Sequence, residues 1–156
     1  CILMSPKSML RSPMAVSPMS DFLEGSRFQE TIGDTYADPK KVKKVLLCTG
    51  KIYWELYDKQ QKDQRKDVAI IRVEQLHPFP KKQIEAHLAQ YKKAEVVWVQ
   101  EEPENMGYWS FILREFPEIG LGSVIARKAS ASPATGYMKI HTVEQADLIE
   151  QAFAGK

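Results

Sequence analysis

The side chains with most to offer chemistry are the acids of Gln100-Glu101-Glu102-Pro103-Glu104-Asn105, which follow directly on the apolar run Val96-Val97-Trp98-Val99. A carboxylate at the end of a buried strand can take a proton, bind a cation, cap the next helix or meet an arginine across an interface. Neighbours on a strand point to opposite faces, so Glu101 and Glu102 are not expected to share a proton. One of them should face the strand-end crevice, and capping or interface contact is the expected role. Arg127, Ser130, Ser132 and Tyr137 supply donors for a small anion pocket at another strand end. Ser5-Pro6-Lys7-Ser8-Met9-Leu10-Arg11 sets Lys7 and Arg11 beside hydroxyls, which suits either an anion grip or an arm pinned to a neighbouring domain.

Other chemistries find no support. No serine stands in a Gly-x-Ser-x-Gly elbow, and Cys48 lies in the apolar run Val45-Leu46-Leu47-Cys48, where a buried thiol is the ordinary expectation. His77, His87 and His141 are scattered, with no His-x-x-x-His or Cys-x-x-Cys spacing, so no metal site is expected. His87 reads as a satisfied or exposed helical residue. Gly50 alone lacks the spacing of a phosphate loop. With only Cys1 and Cys48 present, a disulfide framework is excluded and a reducing compartment fits.

The elements that must place these groups alternate strand and helix. Val45–Thr49 reads as a strand, with a helix near Lys51–Gln64 striped by Ile52, Tyr53, Leu56 and Tyr57. Val68–Val73 is the next strand, broken by His77-Pro78-Phe79-Pro80, and Ile84, Leu88 and Tyr91 predict a helix from Pro80 through Lys93. After Val96–Val99, Pro103 is expected to set a turn and Asn105 to cap a helix carrying Tyr108, Trp109, Ile112, Leu113 and Phe116. Ser123–Ala129 follows as a strand, then a small-residue loop and a short extended piece at Met138–His141. Thr142 and Gln145 have capping-box spacing before a last helix striped by Ala146, Ile149, Ala152 and Phe153. Repeated strand and helix predict an α/β fold with a mostly parallel sheet covered on both faces. Residues 1–40, rich in proline, serine and methionine, read as an interdomain arm with one strand-like segment at Ile2-Leu3-Met4. The α/β domain occupies residues 41–156.

A chain of 156 residues, 44% hydrophobic and 27% charged, has enough core for one domain. The net charge of +2 with interspersed signs marks neither a nucleic-acid nor a membrane surface. Lys40-Lys41-Val42-Lys43-Lys44 reads as a solvated ramp into a strand. No apolar run approaches the roughly 18 residues that span a bilayer, so a soluble chain is expected. The start at Cys1 suggests a piece of a longer protein.

Five motifs come in one order: Ser-Pro-Lys-Ser-Met-Leu-Arg (5–11), Gly-Lys-Ile-Tyr (50–53), Val-Glu-Gln-Leu-His-Pro-Phe-Pro (73–80), Gln-Glu-Glu-Pro-Glu-Asn-Met-Gly-Tyr-Trp (100–109) and Ala-Ser-Ala-Ser-Pro-Ala-Thr-Gly-Tyr (129–137). Together they resemble the carboxy-terminal part of the thiamine diphosphate-dependent first component of 2-oxoglutarate dehydrogenase. The resemblance implies a transketolase C-terminal-like, three-layer α/β/α sandwich of about five mostly parallel strands. It implies a parent that decarboxylates 2-oxoglutarate in the tricarboxylic acid cycle, using thiamine diphosphate and magnesium, and succinylates the lipoyl arm of dihydrolipoyl succinyltransferase. The parent would be a homodimer in a multienzyme complex, in the cytoplasm of a bacterium, the favoured source, or the mitochondrial matrix of a eukaryote. The family's Gly-Asp-Gly cofactor motif has no match, because Gly33-Asp34 is followed by Thr35. This chain is therefore expected to be an inactive assembly and dimerisation domain that binds no cofactor. Lys7, Arg11, Glu101, Glu102, Asn105 and Trp109 are the expected interdomain or interface residues. The competing reading is a free-standing nucleotide or small-anion binder.

Overall fold

Strands rich in β-branched residues and sealed on both faces dictate the architecture. In the computed structural model, which describes residues 2–155, β1 (Thr31–Ile32), β2 (Lys44–Cys48), β3 (Val68–Val73), β4 (Glu95–Pro103) and β5 (Ser123–Arg127) form one sheet in the order β1-β3-β2-β4-β5. Only β1 runs antiparallel; β2 pairs in parallel with both β3 and β4, and β4 with β5. Helices α1 (Ile52–Lys62) and α4 (Met138–Phe153) cover one face, where Ile52, Leu56, Leu148 and Phe153 pack on Leu46, Ile70 and Val97. Helices α2 (Lys81–Leu88) and α3 (Trp109–Glu115) cover the other, where Ile84, Ile112 and Phe116 pack on Val45, Ile71 and Trp98. This is the expected three-layer α/β/α sandwich. Strands β2 and β3 bury both sets of alternating side chains, which is why they are apolar without alternation.

Several local readings need correction. The α2 helix stops at Leu88, because Gln90 and Tyr91 N–H turn back to His87 and Leu88 C=O and drop Tyr91 into the core as a tight turn. Strand β4 does not end at Val99; it runs to Pro103, which pairs with Arg127 after a register shift. Met138–His141 is not extended but is the first turn of α4, so Thr142 is inside the helix, donating its hydroxyl to Met138 C=O at 2.9 Å rather than capping. Within α4 the buried stripe is Gln145, Leu148, Ile149, Ala152 and Phe153, with Ala146 exposed. Strand β5 is shorter than read, and Ile2-Leu3-Met4 is exposed without regular structure, having neither a partner strand nor a core to cover it.

Strand β1 comes from the stretch read as arm, and Asp34 fixes it. One Asp34 oxygen accepts from Tyr36 and Ala37 N–H at 2.6 and 2.7 Å, the other from Ile70 N–H at 2.8 Å and Gln60 Nε2 at 2.7 Å. The carboxylate thus replaces a strand residue opposite β3. On the far side, Thr31 Oγ1 meets His87 Nε2 at 3.2 Å, and a Cβ on Gly33 would lie 2.6 Å from the His87 ring. Only glycine lets the arm pass that close.

Burial lowers the His87 pKa below its ordinary 6.5. Below that ordinary value the exposed imidazole of a released state takes a proton first, so the contribution of His87 to docking of β1 is fully present above it and is lost as pH falls through the lowered value. Glu74 and Gln75 N–H, both bonded to Glu30 C=O, should lose hydrogen-exchange protection on that acid side. A His87→Gln variant should abolish this pH dependence; protection that stays level from neutral to acid pH in the unaltered chain would contradict it.

Candidate functional site

An open α/β sheet takes ligands at the carboxyl ends of its strands, where neighbouring strands send their chains to opposite faces. Here that crevice lies between β2 and β4, since β2 leads into α1 on one face and β4 into α3 on the other. Gly50, at φ +75°, makes the sharp exit from β2 and delivers Lys51 to the crevice. Glu101 enters from β4, and its Oε1 receives Lys51 Nζ directly. Gln145 of α4 donates Nε2 to the same oxygen and to Glu55 Oε2, each at 3.0 Å. The crevice is spanned by the chain's own side chains.

Arg127 extends this network from the end of β5. Its side chain is only 8% exposed; Nη1 donates to Glu101 C=O at 2.9 Å, and Nη2 to Gln145 Oε1 at 2.6 Å and His141 Nδ1 at 3.1 Å. A guanidinium only donates, so His141 Nδ1 accepts and the ring proton sits on Nε2. Arg127 Nε lies 3.4 Å from Glu144 Oε2 as an ion pair without a hydrogen bond, and Thr135 Oγ1 donates to that same oxygen. A buried cation is tolerable only with such partners, and removing one side of a buried pair costs about 3–5 kcal/mol.

A second polar centre sets where Glu101 stands. Gln100 is 2% exposed, and its Oε1 accepts from Trp98 Nε1 at 3.0 Å and Trp109 N–H at 3.1 Å. Its Nε2 donates to Met106 C=O at 2.7 Å, Pro103 C=O at 3.0 Å and Glu102 C=O at 3.3 Å. Gly107 closes the turn at φ +68°, where a Cβ would meet the Gln100 amide at 2.9 Å.

The expected site residues are brought together only in part. Glu101 faces the crevice, while Glu102 is half-buried and forms no ion pair among the described residues. Asn105 caps no helix: its amide exchanges hydrogen bonds with the Ser130 main chain at 3.0 and 3.1 Å, tying the β4–α3 loop to the β5–α4 loop. Trp109 packs, half-buried, against the α2–α3 core. Lys7 and Arg11 are exposed on the arm. Arg127, Ser130 and Ser132 share a cleft of about 600 Å³ with Glu144 and Asp147, but Tyr137, 78% exposed, is not on its wall. Gln100, His141, Gln145 and Asp34 are the residues that sequence patterning passes over. A lone glutamine inside an apolar strand was the one available signal, since burial obliges its amide to find partners.

Metal and cofactor chemistry fits this donor set poorly. Both Asp34 oxygens are consumed by four local donors, so the Gly33-Asp34 pair has no lone pairs aimed at a magnesium ion. No three His, Cys, Asp or Glu side chains cluster as metal ligands among the described residues. Complete burial pushes the Cys48 thiol up to about 12, so it offers no thiolate.

Fold and crevice together define a three-layer α/β domain of the open-sheet class whose switch point is filled from within. Residues 16–153 match the family described as 2-oxoglutarate dehydrogenase C-terminal, and the chain belongs to that family. It is 44% identical, over 98% of its length, to the 2-oxoglutarate dehydrogenase E1 component of Haemophilus influenzae. Over 97% it is 44% identical to the 2-oxoglutarate dehydrogenase E1/E2 component of Corynebacterium glutamicum, and 41% to the mitochondrial 2-oxoglutarate dehydrogenase of Caenorhabditis elegans. The chain spans 17%, 13% and 16% of the lengths of these three relatives.

Removing Arg127 as Arg127→Leu should lower unfolding stability by about 3 kcal/mol, because Glu101 C=O, His141 and Gln145 lose a shared donor and Glu144 loses its ion-pair partner. Glu102→Gln should change it by less than about 0.5 kcal/mol. Urea unfolding of the two variants checks the contrast, and equal effects would refute the assigned geometry.

Proposed function

We propose that this chain serves as a non-catalytic assembly domain of a 2-oxoglutarate dehydrogenase. The parent enzyme would decarboxylate 2-oxoglutarate with thiamine diphosphate and magnesium and pass the succinyl group to the lipoyl arm of dihydrolipoyl succinyltransferase. The observation that carries this reading is the Lys51–Glu101–Gln145 bridge, which occupies the place where a ligand-binding sheet of this class keeps open space. The groups suited to chemistry are spent on holding β2, β4, β5 and α4 together. Family membership and the small share of each relative's length that the chain spans favour a part over a whole.

Within such a parent the domain would buttress its neighbours and a second subunit. Glu101 faces its own domain, which leaves Glu102, Trp109, Lys7 and Arg11 for contacts beyond it. Asn105 contributes by stiffening the loop that presents Glu102 and Trp109. The Corynebacterium relative, named an E1/E2 component, supports membership of a multienzyme complex. A homodimer in the bacterial cytoplasm, or in the mitochondrial matrix for a eukaryotic source, follows from the same reading. No helix among the described residues is long and apolar enough to cross a membrane.

A ligand that binds only the folded state at a hundred times its Kd stabilises it by about 2.7 kcal/mol. Adenosine monophosphate, 2-oxoglutarate and thiamine diphosphate with magnesium, each at millimolar concentration, should therefore leave the Tm of this chain unchanged. A concentration-dependent rise with any of them would replace the assembly reading with a small-anion binder.

A further inference from the structure

Helix α4 is seated on the sheet over only part of its length. Its buried residues are Gln145, Leu148, Ile149, Ala152 and Phe153, and none lies in the turns before Gln145. Those turns are pinned on the domain side by His141 and Glu144, which meet Arg127. The opposite side is bare. Val143, 68% exposed, stands at its middle, and Ile140 beside it is 49% exposed. Lys139, Ala146 and Asp147 are exposed too, and the five residues recur at the spacing of one helix face. Asp147 lines the clefts on both flanks of α4, which places it on the outer ridge between them.

This face is complementary to itself. Ile140 and Ala146 lie symmetrically about Val143, and so, one position further out, do Lys139 and Asp147. Two such helices crossing antiparallel at a two-fold axis beside Val143 therefore set Lys139 of each copy opposite Asp147 of the other. The same axis sets the bulky Ile140 opposite the small Ala146 and Val143 opposite itself. Lys139 and Asp147 are free for this, since neither side chain forms an ion pair or hydrogen bond among the described residues. Within one helix they stand about 12 Å apart along the axis, too far to pair with each other. The cations nearest Asp147 are already taken, Lys59 by Asp63 and Glu150, and Arg65 by Asp67. One unpaired charge of each sign, placed symmetrically about an exposed apolar centre, selects a copy of the same surface over a partner of either net charge.

We propose that this face of α4 docks on the same face of a second copy of the chain, as an antiparallel helix pair crossing at Val143 and closed by two Lys139–Asp147 ion pairs. The contact is small, so the dimer it forms alone is weak, with a Kd on the order of 100 µM. It is argued from α4 itself and stands or falls apart from the assembly reading.

Sedimentation equilibrium of the chain from about 10 µM to about 1 mM reads the association. The unaltered chain should pass from monomer towards dimer across that range. Lys139→Glu and Asp147→Lys should each weaken self-association about tenfold, because each sets like charges together at both ends of the contact. An equimolar mixture of the two variants should recover it, since each then supplies the charge that the other lacks. Val143→Arg should abolish association and leave the Tm unchanged, Val143 being exposed. A chain that stays monomeric at about 1 mM would leave this face to another part of a longer parent and overturn the proposal. Association that survives Val143→Arg, or a mixture that does not recover it, would place any dimer elsewhere and overturn the proposal as well.

Discussion

The buried amide of Gln100 is the constraint on which the carboxyl edge of this domain depends. Strand β4 must stop being a strand within a few residues and feed α3 on the other face, wrapping a turn around the buried Gln100 side chain. Such a turn strands several main-chain carbonyls and the first N–H of α3, each costing about 1–3 kcal/mol if left unpaired. One side chain satisfies most of them at once, accepting from Trp98 and Trp109 and donating to three carbonyls. Gly107 is then required, because any Cβ there would strike that amide. The chain path this fixes is what aims Glu101 at Lys51.

From that path the rest of the polar edge follows. Glu101 offers its side chain to Lys51 and Gln145 and its main-chain carbonyl to Arg127. Arg127 joins β5 to α4 through Gln145, His141 and Glu144, and Asn105 joins the two loops above them. Exposed ion pairs add little stability, but these are half-buried or buried and share partners, so they set geometry as well as energy. A network that fixes the strand ends in this way leaves no open cradle at the switch point, which is why the edge reads as scaffold.

The order of elements was legible because burial on both faces forces continuous apolar strands, as in Val45-Leu46-Leu47-Cys48 and Val68-Ala69-Ile70-Ile71, and apolar stripes such as Ile52 and Leu56 mark helices. What local pattern could not carry was anything decided across the sheet. Strand β1 is two residues long and exists because Asp34 mimics a ladder partner to Ile70, a relation spanning 36 positions. The Thr142 and Gln145 spacing imitates a capping box, yet Gln145 is claimed by Glu55 and Glu101, and α4 starts a turn earlier. Glu101 showed in the sequence as one of two alternating acids; that it turns inward is set by Lys51 and Gln145, far away in the chain.

The central claim is that this domain supports catalysis performed elsewhere in its parent. The most direct measurement is 2-oxoglutarate-dependent reduction of an artificial electron acceptor, with thiamine diphosphate and magnesium, by this chain and by a full-length 2-oxoglutarate dehydrogenase carrying the same domain. The account requires turnover by the full-length protein and none by the chain alone; turnover by the chain alone would contradict it.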